Sequence, residues 1–179
     1  MGTEASPNVN NLQVGKGIVS FKKQGESDYR DLGNVTSFKI TPDADTLEHF
    51  SSRTGVKKRD VLIVLQQKMK VTMVMEEFTA NNLAMMVYGT VDEAAMDGPA
   101  VEIFGISQVK GALKFVGTND YGPRVNVDLW NVSWTPSGDL EMISDEWNNM
   151  EVEGEVLAAE SGPNAGKFGQ MQITNQTAS

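Results

Sequence analysis

The residues that could do chemistry are few, and none of them completes a known catalytic or metal-binding pattern. His49, in the stretch LEHF, is the only histidine, so no second imidazole can share a metal ion with it, and the HExxH spacing is missing. Asp43, Asp45 and Glu48 have part of the spacing of a calcium loop, but its glycine turn and distal glutamate are absent. The sequence therefore predicts no metal site and no cofactor.

Phosphate-binding and nucleophilic motifs are also incomplete. Residues 162–167, GPNAGK, are one residue too short between the glycines for a P-loop, and Phe168 stands where a magnesium-binding hydroxyl is needed. A strand-like stretch follows, so no helix N-terminus would face a phosphate; a tight turn is the better interpretation. The chain has no cysteine and no GxSxG elbow. We expect that the protein is not an enzyme.

Composition narrows the function further. The chain has 179 residues, 40% of them apolar, which is enough for one hydrophobic core. Its net charge of −9 argues against gripping nucleic acid, because such proteins usually carry a basic patch, and the only basic run is residues 57–59. No apolar run approaches the roughly 20 residues that cross a bilayer, so no membrane insertion is expected.

Alternation of apolar and polar residues predicts a mainly β domain. In residues 60–78 seven apolar side chains fall on odd positions, among them Val61 and Met75. We expect one very long strand there, or two joined near Gln66, with one face buried. Shorter strands are predicted over residues 14–23, 34–41, 101–107, 109–118, 124–134, 140–143, 150–159 and 168–174, with 101–107 and 109–118 resembling a hairpin.

One helix is predicted directly after the long strand. Thr79 can cap its N-terminus, and Gly89 stands where a left-handed C-terminal cap would end it. The fold class is therefore an antiparallel β-sandwich or barrel with one flanking α-helix. We predict a single domain over residues 14–170, a flexible N-terminal arm over 1–13 and a C-terminal tail over 171–179.

A polar stretch, residues 43–59, interrupts the β pattern. It has no strand alternation, it contains Gly55, and it carries charges of both signs. Loops inside compact domains are usually about 4–6 residues long, and one beyond about 12–15 is typically functional or disordered. The sequence therefore predicts a long inter-strand loop at this position.

Four stretches of the sequence, in order, are VGKGIVSF, LGNVTSFKITPDADTLEHFSS, the strand running into MEEFTANNLAMMVYG, and DLEMISDEWNNMEVEGEVL. This series resembles the major tail tube proteins of long-tailed, non-contractile bacteriophages over residues 14–170. The resemblance implies the tail tube fold, with six copies in a ring and rings stacked into a hollow tube. Genomic DNA would pass through the tube into the host without specific binding.

The resemblance also implies which residues meet other subunits. It makes the 43–59 loop a stacking loop that is ordered by its neighbours, with mixed charges suited to head-to-tail contacts. The candidate inter-subunit residues are Asp43, Asp45, Glu48, His49, Phe50, Arg53, Lys57, Lys58 and Arg59. An acidic lumen would repel DNA phosphates, and the candidate lumen-facing acids are Glu102, Asp128, Glu151, Glu153 and Glu155. The outer wall is an equal alternative for these acids.

Partners and location follow from the same resemblance. The implied partners are further copies of the chain and the tape-measure, terminator and tip proteins of a tail, and the implied location is the virion tail after synthesis in the host cytoplasm. Two other functions stay open: the tube protein of a contractile tail or secretion system, and a monomeric ligand-binding β-sandwich. The latter would favour exposed aromatic residues on one face, and only 7% of the residues are aromatic.

Overall fold

Ten β-strands and one α-helix make up the computed structural model, which describes residues 7–53 and 55–174. In chain order these are β1 (Gly17–Lys23), β2 (Arg30–Asp31), β3 (Val35–Ser51), β4 (Lys58–Met75), α1 (Ala80–Met86), β5 (Thr90–Asp92), β6 (Ala100–Glu102), β7 (Val109–Gly117), β8 (Arg124–Pro136), β9 (Met150–Val156) and β10 (Gly169–Thr174), after a short 3-10 turn at Val9–Asn11. The predicted class, mainly antiparallel β with one helix, is confirmed.

Eight strands form one antiparallel sheet that curls around the core. Their order is β2-β1-β7-β8-β9-β4-β3, and β10 pairs with β8. Three strands separate β3 from β7 in this order, yet Phe38 of β3 stacks on Phe115 of β7 with 5.3 Å between ring centroids. The two halves of the sheet therefore face each other across the core. β5 and β6 pair separately beside α1.

The core lies on the concave face of this sheet. Trp134 meets Phe21 edge to face, with 5.9 Å between ring centroids. A Cβ added at Gly154 would lie within 3.0 Å of the Trp134 ring and of Val132, so the glycine leaves room for the indole. The fully buried apolar residues are Val19, Leu32, Val71, Met73, Met75, Leu113, Val132, Trp134, Met150 and Val152.

The start of α1 is fixed by a cap and by one buried amide. The Thr79 hydroxyl accepts a hydrogen bond from the Asn82 backbone N–H at 3.2 Å, which confirms the predicted cap. The Asn82 side chain is fully buried; its Nδ2 donates to the Leu32 and Glu77 carbonyls at 3.1 and 2.9 Å. Its Oδ1 accepts from the Arg30 guanidinium at 2.6 Å. Asn82 thus ties the helix to the loop beside β2.

The end of α1 differs from the prediction. Tyr88, not Gly89, has the left-handed conformation, with φ of 51°. The Gly89 N–H donates to the Ala84 carbonyl at 2.7 Å, the bond of a Schellman cap. The Tyr88 hydroxyl donates to the Trp134 carbonyl at 3.1 Å, which offsets the cost of that backbone conformation. Glycine is required at position 89 because a Cβ there would approach Val101 Cγ1 to 2.6 Å.

Several predicted elements need correction. The hairpin predicted from residues 101–107 and 109–118 does not form, because β6 pairs with β5 whereas β7 pairs with β1 and β8. Residues 140–143 form no strand. Of the predicted tail, 171–174 belong to β10, and 175–179 lie outside the described residues, as do 1–6 of the predicted arm. These errors share one cause: strand pairing depends on partners distant in sequence.

Candidate self-association surface

The stretch predicted as a loop, residues 43–59, is the outer part of a long β-hairpin. β3 and β4 pair antiparallel from Val35 opposite Met75 to Ser51 opposite Lys58, so only residues 52–57 connect them. On its other side β4 pairs with β9, and that pairing covers only residues 70–75. The loop prediction is therefore wrong for residues 43–51 and 58–59, which belong to β3 and β4. We call residues 43–68, where only β3 and β4 pair with each other, the ribbon.

The ribbon extends well beyond the rest of the sheet. At about 3.3 Å per residue, the ten steps of β4 from Lys68 to Lys58 span roughly 33 Å. Strand alternation is missing from the β3 half of the ribbon, residues 43–51, because the body of the chain buries neither face there. Pro42 is accommodated because β3 is the edge strand of the sheet, where proline is tolerated.

The ribbon exposes apolar side chains on both of its faces. Residues 61–65 of β4, VLIVL, are between 45% and 58% exposed, and Leu47 and Phe50 of β3 are exposed to a similar degree. Adjacent strand residues point to opposite faces, so both sides of the ribbon are apolar. The predicted burial of the odd-numbered face of β4 is correct for Val71, Met73 and Met75, and wrong for the ribbon.

Such a ribbon is poorly suited to stand alone in water. An isolated two-stranded hairpin is marginally stable, and contiguous exposed apolar surface marks an interaction site in soluble proteins. A free edge strand also offers unpaired backbone groups to another chain. The ribbon is therefore a candidate surface for association with another protein chain, and the sequence signal that could have found it is the five-residue apolar run.

Four of the eight predicted inter-subunit charges in 43–59 meet a partner on the same ribbon. Three pairs join β3 to β4 at 2.6 Å, namely Glu48 with Arg59, Asp45 with Lys68, and His49 Nδ1 with Asp60. All six side chains are substantially exposed, so these pairs stabilise the ribbon only slightly. The hydrogen bond from Lys68 to Asp45, and the negative charge of Asp45, raise the pKa of Lys68. Asp45 and Glu48 thus bind bases of their own chain, whereas Asp43 accepts a hydrogen bond from the Ala44 backbone N–H.

The end of the ribbon is basic. We call residues 51–58 the tip. Arg53, Lys57 and Lys58 form no ion pair within the described part of the chain, and the tip has no acidic residue. Val56 is 72% exposed between these cations. The tip is therefore a positively charged, partly apolar projection of an otherwise acidic protein.

Four of the five candidate lumen acids lie on one face of the sheet. Glu151, Glu153 and Glu155 share the exposed face of β9, as their alternation with buried residues predicted. Asp128 of β8 lies on the same face further along the sheet, opposite Lys114 of β7. Lysines interrupt these acids: Lys70 Nζ lies 2.6 Å from Glu153, and that hydrogen bond and charge raise the lysine's pKa. The face is mixed in charge.

The fifth candidate acid lies elsewhere. Glu102 belongs to the small β5–β6 pair, where it accepts a hydrogen bond from the Thr90 hydroxyl at 3.2 Å. The structure therefore does not bring Glu102 together with the other four acids.

The other motifs considered in the sequence form no binding site among the described residues. Residues 162–167 form tight turns, with backbone bonds from Ala165 N to Gly162 O and from Lys167 N to Asn164 O, which confirms the interpretation as a turn. Within residues 7–53 and 55–174, no group of three or more histidine or acidic side chains could hold a metal ion. In the same part of the chain, the helices are too short or too polar to span a bilayer.

Comparison with known proteins gives a family and a fold. The family described as "Protein of unknown function UCP028589" matches residues 12–98 and 94–172. No curated protein is similar enough in sequence to match the chain.

Three solved structures contain chains of similar fold. A chain from the tail of an empty GTA particle, refined with C6 symmetry, is 14% identical with a TM-score of 0.51, over 83% of this chain and 96% of that one. A chain from the six-fold symmetrised baseplate of the anti-feeding prophage is 11% identical with a TM-score of 0.50, over 98% of each. A chain from the extended sheath–tube complex of PVC, an extracellular contractile injection system, is 14% identical with a TM-score of 0.50, over 96% and 100%.

Proposed function

We propose a function for this chain, which belongs to the family described as "Protein of unknown function UCP028589": it is a structural subunit that assembles with its own copies into six-membered rings, and the rings stack into a hollow tail tube. The observation that carries the proposal is the ribbon, because it exposes apolar residues on both faces and pairs with no other strand among the described residues. Two of the solved structures that contain a chain of similar fold have C6 or six-fold symmetry, which supports a ring of six copies.

Ring formation would complete the sheet as well as cover the ribbon. β3 is 17 residues long and lies at one margin of the sheet, and the two-residue β2 lies at the other. A long unpaired margin invites pairing with another chain, and closure into a barrel removes such margins. In the proposed ring each subunit contributes its strands to a barrel that encloses the lumen.

The charge of the subunit fits a conduit for DNA. Six copies at −9 each carry about −54 per ring, following the symmetry of a closed homo-oligomer. An excess of negative charge repels phosphates, so DNA slides through without being held. We propose that the lumen is lined by the face that carries Glu151, Glu153, Glu155 and Asp128. On this face Glu153 binds Lys70 and so keeps this lysine from binding phosphate.

The tail type has two candidates. The resemblance in sequence favours a non-contractile phage tail, with tape-measure, terminator and tip proteins as further partners and the particle tail as the location. The second candidate is the tube of a contractile tail or injection system. The share of this chain that aligns with each solved structure favours this second candidate. That share is 98% for the anti-feeding prophage chain and 96% for the PVC chain, and 83% for the GTA tail chain.

Electron microscopy of the purified protein tests the proposal. We expect hollow tubes of six-membered rings in negative stain as the protein concentration is raised. The matched variant replaces residues 46–65 with Asn-Gly, which joins Asp45 to Gln66, opposite each other in the register, through a two-residue hairpin turn. It should keep the thermal stability of the body and form no tubes. Featureless monomers of the full chain at every concentration, or tubes from the shortened variant, would contradict the proposal.

A sheath-binding assay separates the two tail types. Assembled tubes are mixed with sheath protein from a contractile injection system and pelleted. Co-sedimentation of the sheath supports the contractile type, whereas tubes that stay bare support the non-contractile type.

A further inference from the structure

A second exposed apolar surface lies on the segment between β8 and β9. In residues 137–149, Trp147 is 95% exposed, Ile143 is 92% exposed and Met142 is 72% exposed. Large aromatic side chains that stand free of their own chain are the type that anchors protein interfaces. The segment also has four acids and no lysine or arginine, the acids being Asp139, Glu141, Asp145 and Glu146. We call residues 137–149 the acidic segment.

The strand register puts the acidic segment at the end of the subunit remote from the tip. β8 ends at Pro136, opposite Val152 of β9, and β9 begins at Met150, opposite Met75 at the end of β4. The tip precedes β4 at its other end. The 17 steps along β4 from Lys58 to Met75 correspond to roughly 55 Å. The tip and the acidic segment of one chain therefore cannot touch each other.

The two surfaces are nevertheless complementary. The tip carries three cations with no ion pair among the described residues and an exposed Val56. The acidic segment carries four acids around exposed Trp147 and Ile143. Opposite charge gives an interface its orientation and its on-rate, and burial of the apolar side chains gives it affinity.

We infer that the tip of one copy binds the acidic segment of a second copy, head to tail along the long axis of the subunit. This inference rests on the proposed function and names the surface that receives the ribbon. A contact between two different patches of identical chains is heterologous, and one that does not close on itself propagates as a filament. The contact therefore stacks rings, whereas the apolar faces of residues 61–65 are left for neighbours in the same ring.

A charge-exchange pair tests the contact. Variant A reverses the tip with R53E, K57E and K58E. Variant B reverses the acidic segment with E141K, D145K and E146K; these three acids are exposed. In variant A two negative surfaces would meet, and in variant B two positive ones. Each variant alone should need at least about tenfold more protein than the unchanged chain to form tubes, whereas a mixture should assemble, because A and B complement each other in both directions.

Controls separate the contact from total charge and from the proposed function. The variant E93K/D97K changes net charge at exposed residues that lie outside both surfaces and outside β3, and it should assemble like the unchanged chain. Sedimentation of dilute protein measures association between copies even where no tube forms. A mixture of variants A and B should associate, whereas either variant alone should not. Association of the mixture without hollow tubes would contradict the proposed function but support the contact between the tip and the acidic segment. Either variant assembling alone like the unchanged chain, or a mixture that fails to associate, would overturn the contact.

Discussion

Threonine substitutions in the ribbon should strongly weaken assembly and leave the subunit folded. The variant V61T/I63T/V64T changes both faces of the ribbon. It keeps β-branched side chains, which strands favour, and it adds a hydroxyl that an apolar interface cannot satisfy. The three native side chains are 45%, 50% and 53% exposed, so about half of each remains to be covered by a neighbour.

The size of the effect follows from that exposure. Full burial of such a side chain contributes about 1.5–3 kcal/mol, so the remaining half is worth roughly 0.8–1.5 kcal/mol for each residue. Because threonine keeps one methyl group, the triple variant should weaken association by about 2–4 kcal/mol per subunit. At 1.4 kcal/mol for each factor of ten, the critical concentration for tube formation should rise roughly 30- to 1,000-fold.

Two measurements on the same samples check this result. Ultracentrifugation over a concentration series gives the critical concentration, and thermal unfolding of dilute protein gives the stability of the subunit, which we expect to change by less than about 0.5 kcal/mol per site at exposed positions. Ile18, 46% exposed on β1, provides the matched control Ile18→Thr, which should assemble like the unchanged chain. A critical concentration that is unchanged in the triple variant would refute the role of the ribbon.

Two further predictions concern the body of the subunit. Asn82→Ala should destabilise it by about 3–5 kcal/mol in thermal or urea unfolding, because the buried Leu32 carbonyl, the part-buried Glu77 carbonyl and the Arg30 guanidinium lose their partner. The exposed neighbour gives the control Asn81→Ala, and equal stability of the two variants would contradict this account. The pKa values of Lys68 and Lys70 are raised by hydrogen bonds to Asp45 and Glu153, so their contribution is fully present below the ordinary lysine pKa of 10.5 and is lost as the pH rises through the raised value. The melting temperature should therefore fall above about pH 10.5, and less steeply in K68M/K70M; parallel curves for the two proteins would count against the pairs.

The features that sequence alone determined are those set by neighbours in the chain. Alternation over residues 60–75 marked β4, and Thr79 marked the start of α1 through a bond to Asn82 three residues later. The side-chain preferences of such elements act over a few residues, so a short window contains the whole cause. The buried half of β4 was predicted because Val71 and Met75 alternate with polar residues at the surface of one core.

Only the tertiary structure decided the candidate surface. The pairing of residues 43–51 with 58–68 depends on the register across a turn. Because this part of the hairpin has no buried face, its pairing does not require apolar and polar residues to alternate. The same holds for the acidic segment: its composition is visible in the sequence, but its place roughly 55 Å from the tip follows from how β4, β9 and β8 align. Positions of this kind depend on which distant strands meet, and that choice is made by the core as a whole.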